Sequence, residues 1–207
     1  MDIIYRDKDV VVAVKPAGVL STDEPGGMPE LLRQALETDN VRSVHRLDQV
    51  VSGLMVYALR SKAASELSRQ IRDGEFGKEY LAVVQGSLPD QGELRHYLTR
   101  DRRERKTYAS DQPVPDSQEA VLRYRVIERH GPYTLVRIRL LTGRTHQIRA
   151  QFAAIGCPLV GDAKYGGQEG DRVALWSVKL CFRQPYSGEI LTFEHLPGGG
   201  VWDLFSL

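Results

Sequence analysis

SVHRLDQVVSGLM, Ser43 to Met55, sets three polar side chains, His45, Arg46 and Asp48, directly before an apolar run. The run continues as GLMVYAL, Gly53 to Leu59, whose β-branched and aromatic content predicts a buried strand. Asp48 then lies in the loop leading into that strand. Loop residues held on a rigid scaffold are frequent site residues. A carboxylate there can act as a nucleophile without metal or cofactor, or it can close a salt bridge with Arg46 or Arg144. Taken alone, the salt bridge is the plainer reading.

Outward from this stretch the chain reads as alternating short elements. DVVVAVKPAG (Asp9 to Gly18) predicts a buried strand stopped by a Pro-Ala-Gly turn. MPELLRQALE (Met28 to Glu37) has helical spacing, with Pro29 in its first turn. SKAASELSRQIRDG predicts a helix capped by Ser61, with an apolar stripe of Ala64, Leu67 and Ile71 and Gly74 at its end. KEYLAVVQG, AVLRYRVIE and YTLVRIRLL predict strands. In the last of these, Val136, Ile138 and Leu140 alternate with Arg137 and Arg139. THQIRAQFAAIG (Thr145 to Gly156) predicts a helix with Ile148, Phe152 and Ile155 on one face, and VALWSVKLCF and EILTFEH predict closing strands. Strands outnumber helices and often follow one another directly. That pattern predicts an α+β fold with a mixed, largely antiparallel sheet. DQPVPDSQ, Asp111 to Gln118, is too short a break to separate independent domains. A single domain over residues 1–207 is expected, with two lobes and a cleft.

Composition excludes several classes. With 28 basic and 27 acidic residues, the net charge of +1 is unlike that of a histone-like binder. No apolar run approaches the roughly 20 residues of a membrane span, and MDIIYRDKDV lacks the layout of a signal peptide. A cytoplasmic protein is expected. Cys157 and Cys181 form no CxxC pair, and His45, His96, His130, His146 and His195 have no metal-ligand spacing. Neither GxSxG, a P-loop, GxGxxG nor HExxH occurs. Charged residues at element edges remain: Asp48, Lys78 with Tyr80, and Arg144 with His146. Arg144 precedes a predicted helix, where a cation opposes the macrodipole unless an anion is held there or the side chain points into solvent. RDRRERK carries Arg100, Arg102, Arg103, Arg105 and Lys106, interrupted by Asp101 and Glu104. Its composition suits a solvated loop or edge strand.

In order along the chain, DVVVAVKPAGVLST, HRLD with SGL, GKEYLAVVQG, LLTGRTHQIRAQFAAIGCPLVGDAKYG and ALWSVKLCFRQPYSGEILTF resemble the RluA-type family of pseudouridine synthases. The match runs from Asp9 to Phe193. The resemblance implies a pseudouridine synthase fold: a central mixed sheet, flanked by helices and loops, with a catalytic cleft. It also implies isomerisation of specific uridines in tRNA or rRNA, without cofactor or metal. By the match to HRLD, Asp48 would be the catalytic carboxylate, attacking ribose or the uracil ring. By the match to KEY, Tyr80 would stack on the flipped base and serve as the proton acceptor. By the match to GRTHQIR, Arg144 would pair with Asp48. Arg46 would fill the space that the uridine leaves, as arginine stacks well. His45, Lys78, His146 and Arg149 would border the substrate. RDRRERK becomes a candidate for phosphate contacts, with Arg33, Lys106, Arg149 and Lys164 as weaker ones. Two departures stand out: Val51 where the family usually has Thr, and Trp176 within Leu175-Trp176-Ser177 where it usually has His. A separate N-terminal RNA-binding domain, which many relatives carry, is not expected, and a monomer is. Two rival readings are an RNA-binding protein without catalysis, which would need no carboxylate nucleophile, and a carboxylate-dependent nucleoside hydrolase.

Overall fold

The computed structural model describes residues 1–168 and 170–207. The chain divides into two compact units, Met1–Lys78 with Trp176–Leu196, and Glu79–Leu175 with Pro197–Leu207. Both are strand-rich with helices packed beside the strands, as the α+β reading expects.

The first unit is built on β2 (Val10–Lys15) and β4 (Ser52–Ala58), which pair antiparallel with every residue buried. Continuous burial explains why both read as unbroken apolar runs. Each Val or Leu removed from water contributes roughly 1.5–3 kcal/mol. β1 (Ile3–Arg6) lines the other edge of β2. It was not expected, because IIYR is too short to show a period. On its far edge β4 meets two partners. β10 (Leu175–Arg183) runs parallel to it at Trp176–Ser52 and Ser177–Gly53, and β3 (Arg42–Ser43) pairs antiparallel with Tyr57 and Ala58. β11 (Ile190–Glu194) extends β10.

Helix α1 (Met28–Leu36) carries Pro29 in its first turn, as expected. Helix α2 (Ser61–Arg72) differs in detail. Its N-cap is Arg60, not Ser61, because β4 ends at Ala58 and the short connection places Ser61 already in the first turn. Its buried face is Ala63, Leu67 and Gln70 rather than Ala64, Leu67 and Ile71. Gln70 is fully buried because its amide completes a strand edge. Its Nε2 donates to the Arg183 carbonyl at 2.9 Å, and its Oε1 accepts the Arg183 N–H at 2.9 Å. Gly74, at φ 76°, ends the helix in the left-handed conformation as expected.

The second unit has strand order β5 (Gly77–Gln85), β9 (Tyr133–Leu140), β8 (Gln118–His130), β6 (Gln91–Asp101), β7 (Lys106–Ser110), all antiparallel. The RDRRERK segment is the tip of the β6–β7 hairpin. Helix α3 (Gln147–Ala154) starts two residues later than the sequence suggests and leaves Ile155 exposed beyond its end. It buries Gln147, Arg149 and Gln151 as well as Ile148, Ala150 and Phe152, so it is enclosed on most sides.

Candidate active site

In the first unit, the Asp48 loop is fixed by its neighbours on either side. Ser21 Oγ accepts the Leu47 N–H at 3.0 Å and donates to the Leu47 carbonyl at 2.7 Å. On the other side, the Gln49 carbonyl accepts the Gly18 N–H at 2.8 Å, and the Gln49 amide donates to the Gly18 carbonyl at 2.9 Å. The turn after β2 therefore clamps both flanks of Asp48. The Val51 N–H closes a turn onto the Asp48 carbonyl at 3.0 Å. Asp48 itself is half-buried, whereas Arg46 is exposed.

Lys15 lies beneath this clamp with no exposed surface. Its Nζ donates to the carbonyls of Pro16, Val19 and Gln49 at 2.9, 2.7 and 3.1 Å, using all three ammonium hydrogens. Burial pushes its pKa down to about 8, and the Asp48 carboxylate partly offsets that by favouring the ammonium. Lys15 is thus a site residue that the sequence reading left as part of a motif. Its signal was a charged residue closing an otherwise apolar strand.

His45 has a structural partner. Its Nε2 accepts the Val56 N–H at 3.1 Å, in the gap along β4 between the partners β10 and β3. Nε2 is therefore unprotonated, and burial, then the positive Lys78, hold the imidazole well below its usual pKa. Phe76 gathers these groups: its ring lies 5.5 Å from His45 and stacks on Phe182, and Lys78 Nζ is 5.7 Å from its centre. Burial also lowers the Lys78 pKa. At Trp176 the indole N–H donates to the His195 carbonyl at 2.7 Å and the two rings stack, which gives the large side chain a defined seat.

Where β4 starts beside β10, Gly53 has φ +116°, and a Cβ there would stand 2.5 Å from both the N and the O of Ser177. Only glycine permits that approach.

In the second unit, Tyr80 is buried in β5 opposite Ile138. Arg144 is exposed on the loop before α3, with its Nε directed to the Glu119 carbonyl at 3.2 Å. Gln147, which the sequence reading passed over, shapes that loop. Its Oε1 accepts the Arg144 N–H at 2.9 Å and the Thr142 hydroxyl at 2.9 Å, and its Nε2 donates to the Val121 carbonyl at 3.1 Å. His146 caps α3 in the left-handed conformation at φ 55°. Arg149, expected at the RNA, is instead inside the unit at 4% exposure. It binds Asp162 through two contacts, Nε–Oδ2 at 2.7 Å and Nη2–Oδ1 at 2.8 Å.

The hairpin resolves the mixed charge of RDRRERK. Asp101 Oδ1 accepts the N–H groups of Arg103 and Glu104, and Glu104 accepts the Tyr108 hydroxyl. The two acids are thereby used in shaping the tip, while Arg100, Arg102, Arg103 and Arg105 are exposed. Arg33, a weaker candidate, forms two contacts with Asp23.

Asp48, Arg46, His45 and Lys78 thus belong to the first unit, and Tyr80, Arg144, His146 and Arg149 to the second. A rigidly clamped carboxylate over a buried ammonium suits nucleophilic or electrostatic chemistry. Among the described residues no His, Cys, Asp and Glu cluster is placed to hold a metal, and no helix is long and apolar enough to cross a membrane.

Comparison with known proteins agrees with these motifs. The family profile described as RNA pseudouridylate synthase matches residues 9–154. The dual-specificity RNA pseudouridine synthase RluA of Haemophilus influenzae is 34% identical over 205 residues, covering 94% of this chain and 92% of that protein. Ribosomal large subunit pseudouridine synthase D of Vibrio cholerae is 34% identical over 221 residues, covering 95% of this chain and 67% of that one. Among solved structures, human RNA pseudouridylate synthase domain containing 1 superposes with a TM-score of 0.82 at 26% identity, over 94% of this chain and 82% of that one.

Proposed function

This chain belongs to the RluA-type family of RNA pseudouridine synthases and isomerises uridine in RNA, and from that premise we propose that Asp48 is its catalytic carboxylate. The observation that carries the assignment is the clamp on Leu47 and Gln49, which fixes the backbone at Asp48 above the buried Lys15. A side chain held in place before substrate arrives loses less on reaching the transition state.

The remaining roles follow the motif matches. Tyr80 stacks on the extruded uracil and accepts the ring proton, Arg144 is the cationic partner of the carboxylate, and Arg46 fills the vacated stack. Lys78 and His146 border the substrate. His45 contributes by holding the β4 edge, since its Nε2 is bound to Val56. Arg149 contributes through Asp162. The exposed arginines of the hairpin contact phosphates, which makes binding salt-dependent. Both units act as one catalytic domain of a cytoplasmic monomer, with no cofactor.

The substrate is tRNA, rRNA or both, a reading supported by relatives named for dual specificity and for the large ribosomal subunit. Transcripts of each class carrying tritium at carbon five of uracil separate these outcomes, because moving the glycosidic bond to that carbon releases the label. Release from at least one class is expected. Binding without release from either would leave the binding-only reading in its place.

Lys15 gives the reaction a pH dependence. Its ammonium is needed to hold three carbonyls, so kcat is expected to fall as pH rises through about 8. Stability moves the other way. Between about 8 and 10.5 the unfolded chain keeps a proton that the folded chain has lost, so this group's contribution to stability rises with pH there. Falling turnover without a fall in melting temperature, which this group alone would raise, is the expected signature. A kcat that stays flat to about pH 9 would show that Lys15 charge is not required.

A further inference from the structure

The hairpin that carries the exposed arginines is attached to the sheet on one side only, since β7 is the terminal strand of its unit. An edge hairpin with a charged tip gains little from packing and would fluctuate. The opposite side of β7 is nonetheless occupied, by the turn Asp162–Gly166.

Two side chains of that turn reach the hairpin. The Tyr165 hydroxyl accepts the outward N–H of Thr107 at 2.8 Å. It also lies 2.8 Å from His146 Nδ1, which Arg100 Nη1 approaches at 3.3 Å. An arginine can only donate, so Nδ1 is an acceptor and the Tyr165 hydroxyl donates to it. Thr107 Oγ1 adds a bond to the Thr145 carbonyl at 3.0 Å. Nearer the tip, Lys164 Nζ donates to the carbonyls of Glu104 and Arg105, both at 3.3 Å. The turn is itself anchored in the interior by the buried Arg149–Asp162 pair, and the Arg149 guanidinium lies 5.0 Å from the centre of the Tyr165 ring.

We propose that Tyr165 and Lys164 are positioning residues for RNA binding: they brace the β6–β7 hairpin so that its arginines meet the phosphate backbone in a fixed array. The inference rests on the reading of that hairpin as a phosphate contact. The brace also ties the hairpin base to the His146 segment, so the two sides of this surface are set together.

A double-mutant cycle tests it. Tyr165→Phe removes one uncharged hydroxyl and keeps the ring. With a uridine-tritiated tRNA or rRNA transcript, it is expected to raise KM about tenfold and leave kcat within about twofold. With fluorescein-labelled tRNA, the slope of log Kd against log salt should fall by more than one phosphate contact, although no charge was removed. In a background where Arg102, Arg103 and Arg105 are serine, Tyr165→Phe should add less than about twofold. Additive effects, an unchanged salt slope or a loss confined to kcat would overturn the proposal. If Tyr165→Phe lowers the melting temperature enough to obscure these readouts, Lys164→Gln is read in the same cycle. A slope loss of one contact would then mean that Lys164 meets phosphate itself, against the brace. A larger loss that vanishes in the serine background supports it. Absence of tritium release by the wild type would count against the isomerase assignment, whereas the binding cycle would still decide the brace.

Discussion

Asp48→Asn is expected to lower kcat for tritium release by about four orders of magnitude or more, the scale of losing a covalent or nucleophilic group. That is at least roughly 5.5 kcal/mol of transition-state stabilisation. Asparagine is nearly isosteric, and the backbone clamps on Leu47 and Gln49 remain in place. The fold should therefore survive, and RNA affinity should hold or tighten slightly, since a negative charge facing a polyanion is gone. Retained turnover in Asp48→Asn would remove the carboxylate from the mechanism. Loss of turnover together with a collapsed melting temperature would instead give it a structural role.

Gly53→Ala is expected to damage the first unit severely, through steric overlap and backbone strain together. The new Cβ would lie 2.5 Å from two backbone atoms of Ser177, and backbone atoms cannot rotate aside. The φ of +116° adds strain for any L side chain. Overpacking of this kind costs about 1–3 kcal/mol and the conformational penalty adds about 1–2. A total near 4 kcal/mol lowers the melting temperature of a chain this long by about 10 °C. Because only the four residues Gln49 to Ser52 join Asp48 to Gly53, turnover should fall even below the transition. Thermal unfolding and tritium release on one preparation check both. A wild-type melting temperature would mean that β4 and β10 can separate at this point without loss.

What could be read from the sequence depended on whether a residue's task was local. β2 and β4 were legible because complete burial leaves an unbroken apolar run, and Gly74 was legible because a left-handed helix end favours glycine. Asp48 stood out only in company with KEY and GRTHQIR, since a lone carboxylate at a turn is common. Gln70, Gln147 and Arg149 were misjudged or passed over for one reason. Each is polar, and polarity in a sequence suggests a surface. Yet each satisfies distant groups in the interior: the Arg183 backbone, the Val121 carbonyl and Asp162. The bond of His45 to the Val56 N–H was hidden from the sequence, because the gap it fills arises only from the arrival of β10 and β3 on one strand. The acids of RDRRERK seemed to dilute its charge. They are the residues that shape the tip.

The parallel pairing of Ser177 with Gly53 also bears on synthesis. The strand that completes the edge of β4 is made long after β4 itself. At translation rates of about 5–20 residues per second, the 124 positions from Gly53 to Ser177 (177 minus 53) take roughly 6 to 25 s. Throughout that interval the nascent chain carries its HRLD segment without the neighbour that seats Gly53. The first unit is therefore closed only by a strand made much later than its core, and catalytic competence waits on the synthesis of β10.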